Sequence, residues 1–403
     1  MKRNLLLCAC LMTGMVFAPA NAEVLPAPSS IAPNVLTFTE TTEEEKSANS
    51  IVLYNVVPTT SSWSVTPKYY NITLNNTNYT FGEGINQLVK EVNAPFSPVT
   101  VTINYDEASS AINNSQIAVT NKLFINQGVY NDLNYYDEHD LNINLPEIKN
   151  NIFTSQTEDW VNVANGVYLS SVTDSVINIG DISNNVVLGQ YGFDMYSSFY
   201  AYNCDNLTVN LGDISNNIFI GNENPSIYVS LDTDSNLGSI NVTNNVFIGN
   251  SSSSSLTSLD NRSGNIEFSN NVYIGNNRTI SDDAFNIGGT VLRNDYDSNA
   301  YTIIKDSIFS DNTLSFESNC DGANGGGVIA NYGTLDSISG SNFINNSVTY
   351  GEDTYSMIYT NGGGAILNAS ALGSDSAEIK EIINSNFIGN NTNRSGGAIF
   401  ISY

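Results

Sequence analysis

One short element recurs nine times along this chain and limits its fold more than any other feature. Two or three polar residues, often Asn-Asn, precede an apolar pair or triplet, and an amide side chain closes the element. The copies are LFINQ ending at Gln127, IFTSQ at Gln156 and VVLGQ at Gln190, then IFIGN at Asn222, VFIGN at Asn250 and VYIGN at Asn276. IFSDN at Asn312, NFINN at Asn346 and NFIGN at Asn390 complete the series. Aligned, they place Phe124, Phe153, Val187, Phe219, Phe247, Tyr273, Phe309, Phe343 and Phe387 in one column, at spacings of 26 to 44 residues. Helical solenoids share such periods, but Asn, Gly, Ser, Thr and Val dominate these segments and are weak helix formers. The stretches ahead of the motif, such as Val176-Ile177-Asn178-Ile179, alternate with the period of two that marks a strand. Propeller blades keep a nearly constant period of roughly 40 to 50 residues. Here the period drifts while the motif stays intact, which a coil of stacked strands tolerates by extruding the surplus as loops. The expected fold is all-β, a single-stranded parallel β-helix.

Stacked rungs lie about 4.8 Å apart, so equivalent residues sit over one another and nine copies make a rod of about 40 Å. The aromatic column becomes an internal stack, each ring removing about 150–250 Å² from water, roughly 4–6 kcal/mol gross before ordering entropy. The amide column (Gln127, Gln156, Gln190, Asn222, Asn250, Asn276, Asn312, Asn346 and Asn390) reads as a ladder of side chains bonded to neighbours above and below. A second periodic element, Gly326-Gly327, Gly363-Gly364 and Gly396-Gly397 with Gly288-Gly289 as a weaker forerunner, predicts corners with φ > 0.

The ends of the chain organise the rest. Lys2 and Arg3, an apolar stretch from Leu5 to Phe17, and Ala20-Asn21-Ala22 make residues 1–22 a secretory signal peptide, with the mature chain starting near Glu23. Residues 23–48 hold Pro26, Pro28, Pro33 and the run Glu43-Glu44-Glu45, and read as an extended or disordered lead-in. Residues 49–115 read as a β-rich N-terminal cap and first rungs; within them 84–92 match a short amphipathic helix suited to covering the first rung. Residues 116–403 are the repeats. Only Pro146 and Pro225 follow Pro98, as expected where backbone N–H groups are committed to ladders.

Charge and cysteine narrow the function. The chain carries 13 basic and 40 acidic residues, a net charge of −27. Such a surface suits neither nucleic acid nor anionic lipid, which demand clustered Lys and Arg. No segment after the leader has the roughly 20 apolar residues of a spanning helix, so no membrane contact is expected of this segment. Beyond the leader only Cys204 and Cys320 remain, about four rungs apart, and both are expected as free thiols.

The tetrapeptides resemble a known repeat. FIGN at Phe219, Phe247 and Phe387, FSDN at Phe309 and FINN at Phe343 are similar to the F-x-x-N element of the chlamydial polymorphic membrane proteins, and GGAI at Gly363 and Gly396 is similar to its companion. The resemblance covers about 120–403 and is strongest from 210. It implies an autotransporter passenger, a right-handed parallel β-helix on the surface of a Gram-negative bacterium, attaching to host or neighbouring cells. Autotransporters end in a barrel of alternating strands; none is found up to Tyr403, so the expectation is a passenger fragment cut inside a rung.

The alternative is a polysaccharide lyase or hydrolase, since β-helices also act on acidic sugars. Its chemistry is not visible in the residues. The single histidine, His139, stands in Tyr136-Asp137-Glu138-His139-Asp140, better read as a solvated loop than a metal site, because no second His or Cys accompanies it. Asp181 and Asp213 share Gly-Asp-Ile-Ser-Asn-Asn and read as a repeated turn. None of the basic residues after 120 shows an acidic cluster at rung spacing. No catalytic, cofactor or metal residues are therefore expected, and the loops 251–263 and 347–361 are expected to be presented on a rod that adheres or spaces.

Overall fold

Every repeat contributes one strand of three or four residues to a parallel run within a single sheet in the computed structural model. The strands Ile152–Thr154, Val186–Leu188, Ile218–Ile220, Val246–Ile248, Val272–Ile274, Ile308–Ser310, Asn342–Ile344 and Asn386–Ile388 follow Lys122–Ile125 in unbroken order. The structure describes 34–42, 45, 50–58, 63–74, 77–78, 100–108 and most of 110–402, leaving out longer runs at 281–288, 318–324, 352–361 and 370–376. Among the described residues the chain is all β, a parallel β-solenoid.

One rung shows the plan. Thr208–Asn210 lies in a small outer sheet, Ile214–Ser215 in a second wall, Ile218–Ile220 in the aromatic wall and Glu223–Thr233 in a third, long-stranded wall. The corners on either side of the aromatic strand share one design. At Asn216 (φ 56°) and Gly221 (φ 60°) the chain turns through the left-handed region, which Gly and Asn tolerate best. Asn217 and Asn222 come next, and both bury their amides. Equivalent left-handed residues recur at Asn184, Asn244 and Asn270 on one corner and at Gly249, Gly275 and Gly389 on the other.

The interior is continuous from Val119 to Ile366. Ring centroids lie 5.0 Å apart for Phe124–Phe153, 4.1 Å for Phe219–Phe247, 4.7 Å for Phe247–Tyr273, 4.8 Å for Phe309–Phe343 and 4.7 Å for Phe343–Phe387. Val187 is too small to bridge its neighbours, and Phe193 from the long-stranded wall fills the gap at 5.5 Å from Phe153 and 5.9 Å from Phe219. Tyr273 brings a hydroxyl into this column, satisfied at 2.6 Å by Thr257 Oγ1.

The glycine pairs correct one expectation. Of those described, only Gly396 (φ 90°) and Gly397 (φ 21°) have positive φ. The others are glycines because the next rung's backbone occupies the place of a side chain: a Cβ on Gly327 would stand 2.0 Å from Gly364 O, and one on Gly364 would stand 2.3 Å from Gly397 O. They mark the points where the chain re-enters the long wall after an excursion. From Ser251–Ser252 onward that wall is split, Asn277–Ile280 being followed by Leu292–Asp295 and Thr313–Phe316 by Ile329–Asn331. Pro225 lies opposite the first excursion, where the strand above is interrupted between the pairings Glu223↔Ser251 and Ile227↔Thr257.

The split creates a satellite core of Ile280, Leu314, Phe316, Val348 and Tyr350. Tyr350 stacks on Phe316 at 4.9 Å, donates to Gly325 O and accepts from Gly362 N at 2.8 Å. Burial pushes its hydroxyl up to about 12. A group whose folded pKa is raised contributes stability that is present below its unfolded value, about 10, and lost as pH climbs through the folded one. Stability is therefore expected to fall between pH 10 and 12. Tyr350→Phe should flatten that decline when urea midpoints are measured across the range; an unchanged slope would remove Tyr350 as a cause.

At the N-terminal end Asn34–Thr41, Ser50–Pro58 and Trp63–Leu74 pair antiparallel. Thr100–Glu107 joins them to the rod, antiparallel to Asn34–Thr41 and parallel to Lys122–Ile125. Asn34–Thr41 falls inside the stretch read as lead-in. The helix expected at 84–92 and the signal peptide at 1–22 lie outside the described residues. No helix among the described residues is long and apolar enough to cross a membrane.

Candidate functional site

Most residues singled out in the sequence face inward. Phe124, Phe153, Phe219, Phe247, Tyr273, Phe309 and Phe343 are fully buried, and Phe387 is partly buried in the last rung. Asn222, Asn250, Asn276, Asn312, Asn346 and Asn390 form a ladder in which each Oδ1 after the first accepts both the backbone N–H and the Nδ2 of the preceding rung's amide. Gln127 stands at the start of this column, and its buried Oε1 accepts no hydrogen bond. Gln156 and Gln190 lie outside the described residues.

A second ladder went unread. Asn151, Asn185, Asn217, Asn245 and Asn271 repeat the same double bond at the opposite corner, and Ser307, Ser341 and Ser385 continue it with single bonds from backbone N–H groups. Its signal was the Asn-Asn pair ahead of five of the motifs, the first residue turning left-handed and the second pointing in.

The residues weighed for chemistry occupy structural roles. Asp213 N donates to Asp181 Oδ1 at 2.9 Å, and Asn241 donates to Asp213 in turn, so both aspartates hold the next rung's turn. His139 is exposed, and its raised pKa comes first from its 2.9 Å bond to Asp140. That turn is flanked by left-handed Asp137 and Asp140 and recurs at Ser171 and Asp174. No group of His, Cys, Asp or Glu among the described residues is placed to hold a metal. Cys204 is a free thiol; Cys320 lies outside the described residues. Arg278 is buried, where desolvation pulls its pKa down to about 10, and donates to Ser253 O, Ser255 Oγ and Gly289 O. Its place is a brace for the split wall.

One cation does meet an acidic pair. Arg262 Nη1 lies 2.8 Å from Asp232 Oδ2 in the rung below, and its Nε lies 3.4 Å from Asp260 Oδ1. The sequence concealed this because the first excursion shifts the long wall. Phe219 pairs with Phe247, 28 residues on, whereas Ile227 pairs with Thr257, 30 residues on.

Arg262 borders the most chemically varied surface of the rod, the outer side of the long strands Val129–Tyr136, Val161–Ser170, Tyr191–Tyr202 and Glu223–Thr233. Alternate residues of a strand share a side, and register sets them in columns. Tyr130, Ala164, Tyr196 and Tyr228 form one; Asp132, Gly166, Ser198 and Ser230 the next; Asn134, Tyr168, Tyr200 and Asp232 a third. Tyr130 and Tyr196 meet edge to face at 6.0 Å across Ala164, which is fully buried. Tyr168 and Tyr200 stack at 4.6 Å.

Hydroxyls and carboxylates interlock on this face. Tyr130 Oη donates to Asp132 Oδ2 at 2.9 Å, and Ser226 Oγ donates to Asp194 Oδ1 at 2.7 Å. Burial raises the pKa of Asp194. Gly166 forms a small cradle, where an added Cβ would meet Ser198 Oγ at 2.7 Å and Asp132 Oδ1 at 3.1 Å. At the edge of the face Trp160 lies against Gly192, whose added Cβ would meet the indole at 2.4 Å, yet the side chain remains 56% exposed. These four strands contain no lysine or arginine. No family model, curated protein or solved structure matched the chain in the comparisons made.

Proposed function

We propose that this chain is a secreted bacterial surface protein, an autotransporter-like passenger whose β-solenoid rod attaches its cell to host or neighbouring cells. The observation that carries the reading is the division of labour in the repeat: its amides and rings are spent on the interior, while the outer side of four adjacent long strands displays exposed Tyr130, Tyr136, Trp160, Tyr202 and Tyr228. Aromatic residues with polar ends are enriched in contact surfaces. The carbohydrate-active alternative has one point in its favour, the placement of Arg262 beside Asp232 and Asp260. Both carboxylates hold that guanidinium, leaving it occupied as a cation rather than open as a proton acceptor.

Beads coated with the purified chain are expected to be retained on cell monolayers above albumin-coated beads, and free chain should compete the retention away. Equal retention of both bead types would overturn the attachment reading. Release of reducing ends or unsaturated sugars from polysaccharide by the same preparation would favour the enzyme.

A further inference from the structure

The outer face of the long strands has the chemistry of a sugar-binding surface. Trp160 is an aromatic ring braced from beneath by a glycine, Gly192 (φ 56°), and open above. Tyr168 lies eight residues on, in the strand Val161–Ser170 that follows Trp160, about 26 Å away at the strand rise, a span that accommodates several sugar rings. Between them the outward positions are Asn162, Ala164 and Gly166; Tyr130 and Tyr196 close edge to face over Ala164, and Asp132 and Ser198 close over Gly166, so the face runs level from Trp160 to Tyr168. Its polar groups are Asp132 and Ser198, whose Oδ1 and Oγ turn over Gly166, and Asp194 and Ser226, bonded to each other one and two rungs above.

The ligand's charge follows from what these carboxylates do. Asp132 and Asp194 accept bonds from Tyr130 and Ser226, so they are oriented acceptors inside a hydroxyl network, and a polyhydroxylated partner extends such a network without needing a counter-charge. Strands without lysine or arginine, in a chain of net charge −27, repel acidic glycans.

We propose that this face binds a neutral oligosaccharide strand, with Trp160 as the stacking platform and Asp132, Asp194, Ser198 and Ser226 as partners for its hydroxyls. The inference rests on the attachment reading and deepens it.

The labelled full chain is to be applied to an array of neutral and acidic oligosaccharides that also carries oligolysine. Neutral glycans should retain it and acidic ones should not. Trp160→Ala should weaken retention at least tenfold with an unchanged melting temperature, and Trp160→Phe should restore most of it. Titrating the unmutated chain with a retained glycan should shift its tryptophan emission, a readout that needs no variant. An array without neutral hits, retention indifferent to Trp160→Ala, equal retention of acidic sugars, or retention by oligolysine alone each overturns the proposal, the last in favour of a basic peptide. A blank array with beads that still adhere defeats this inference alone; beads that fail to adhere defeat both readings.

Discussion

Replacing Asn250 by alanine is expected to cost about 3–5 kcal/mol, an unusually large loss for removal of one polar side chain. Asn250 Oδ1 accepts Asn222 N and Asn222 Nδ2, each at 2.9 Å, while its own Nδ2 donates to Phe219 O at 3.1 Å and to Asn276 Oδ1 at 2.9 Å. Alanine strands two donors and one carbonyl where Asn222, Asn250 and Asn276 are each 1% exposed, and a buried unsatisfied group costs about 1–3 kcal/mol. The control is Asn178→Ala. Asn178 also sits in an amide ladder, donating to Asn144 Oδ1 and accepting from Asn210 Nδ2, both at 2.7 Å, but on an exposed sheet. Water replaces those partners, and a loss of about 0.5 kcal/mol or less is expected. Urea midpoints of the two variants test this. Equal losses would mean that the ladder contributes register rather than stability. Because a stacked rod opens locally, amide exchange of 219–222 and 273–276 should rise in Asn250→Ala before that of distant rungs.

What could be read from the sequence was whatever recurs at a fixed offset from the ring. Phe219, Phe247 and Phe387 lie three residues before an amide in every copy, so their register survives any loop length. The second ladder had the same regularity, but Asn216-Asn217 and Asn244-Asn245 read as turn composition, and a turn does not announce which of its two amides points inward. Only the backbone supplies that, through left-handed φ at the first of each pair. Features governed by excursions stayed hidden. The meeting of Arg262 with Asp232 depends on a two-residue offset between the aromatic and long walls, and the role of Phe193 depends on Val187 leaving a gap that another wall fills. Apart from Gly396-Gly397, the glycine pairs owe their identity to close approach of a neighbouring rung, which leaves the same sequence mark as positive φ. The outer face was least legible, because Tyr130, Trp160 and Tyr196 acquire meaning only once strands of unequal length are set in register.

Truncating Phe247 to alanine is expected to cost about 3–5 kcal/mol, the loss usual for a buried aromatic ring. Phe247 is fully buried between Phe219 at 4.1 Å and Tyr273 at 4.7 Å, both nearly parallel to it. Its three-residue strand is pinned on both sides by register to Ile218–Ile220 and Val272–Ile274, so the walls are poorly placed to close over the void, and a cavity that cannot collapse is the costlier kind. Phe387 is the internal comparison. It belongs to the same column and stacks on Phe343 at 4.7 Å, but it is only partly buried, in a rung whose Ile382, Ile383 and Ile388 stand 39–41% exposed. Phe387→Ala is therefore expected to cost less than half as much as Phe247→Ala and to raise hydrogen exchange only in the last rungs. If the two substitutions proved equal in urea midpoint, the rod would have to unfold as one cooperative unit. Coupling between rungs, carried by the two amide ladders, would then outweigh local burial as the source of its stability.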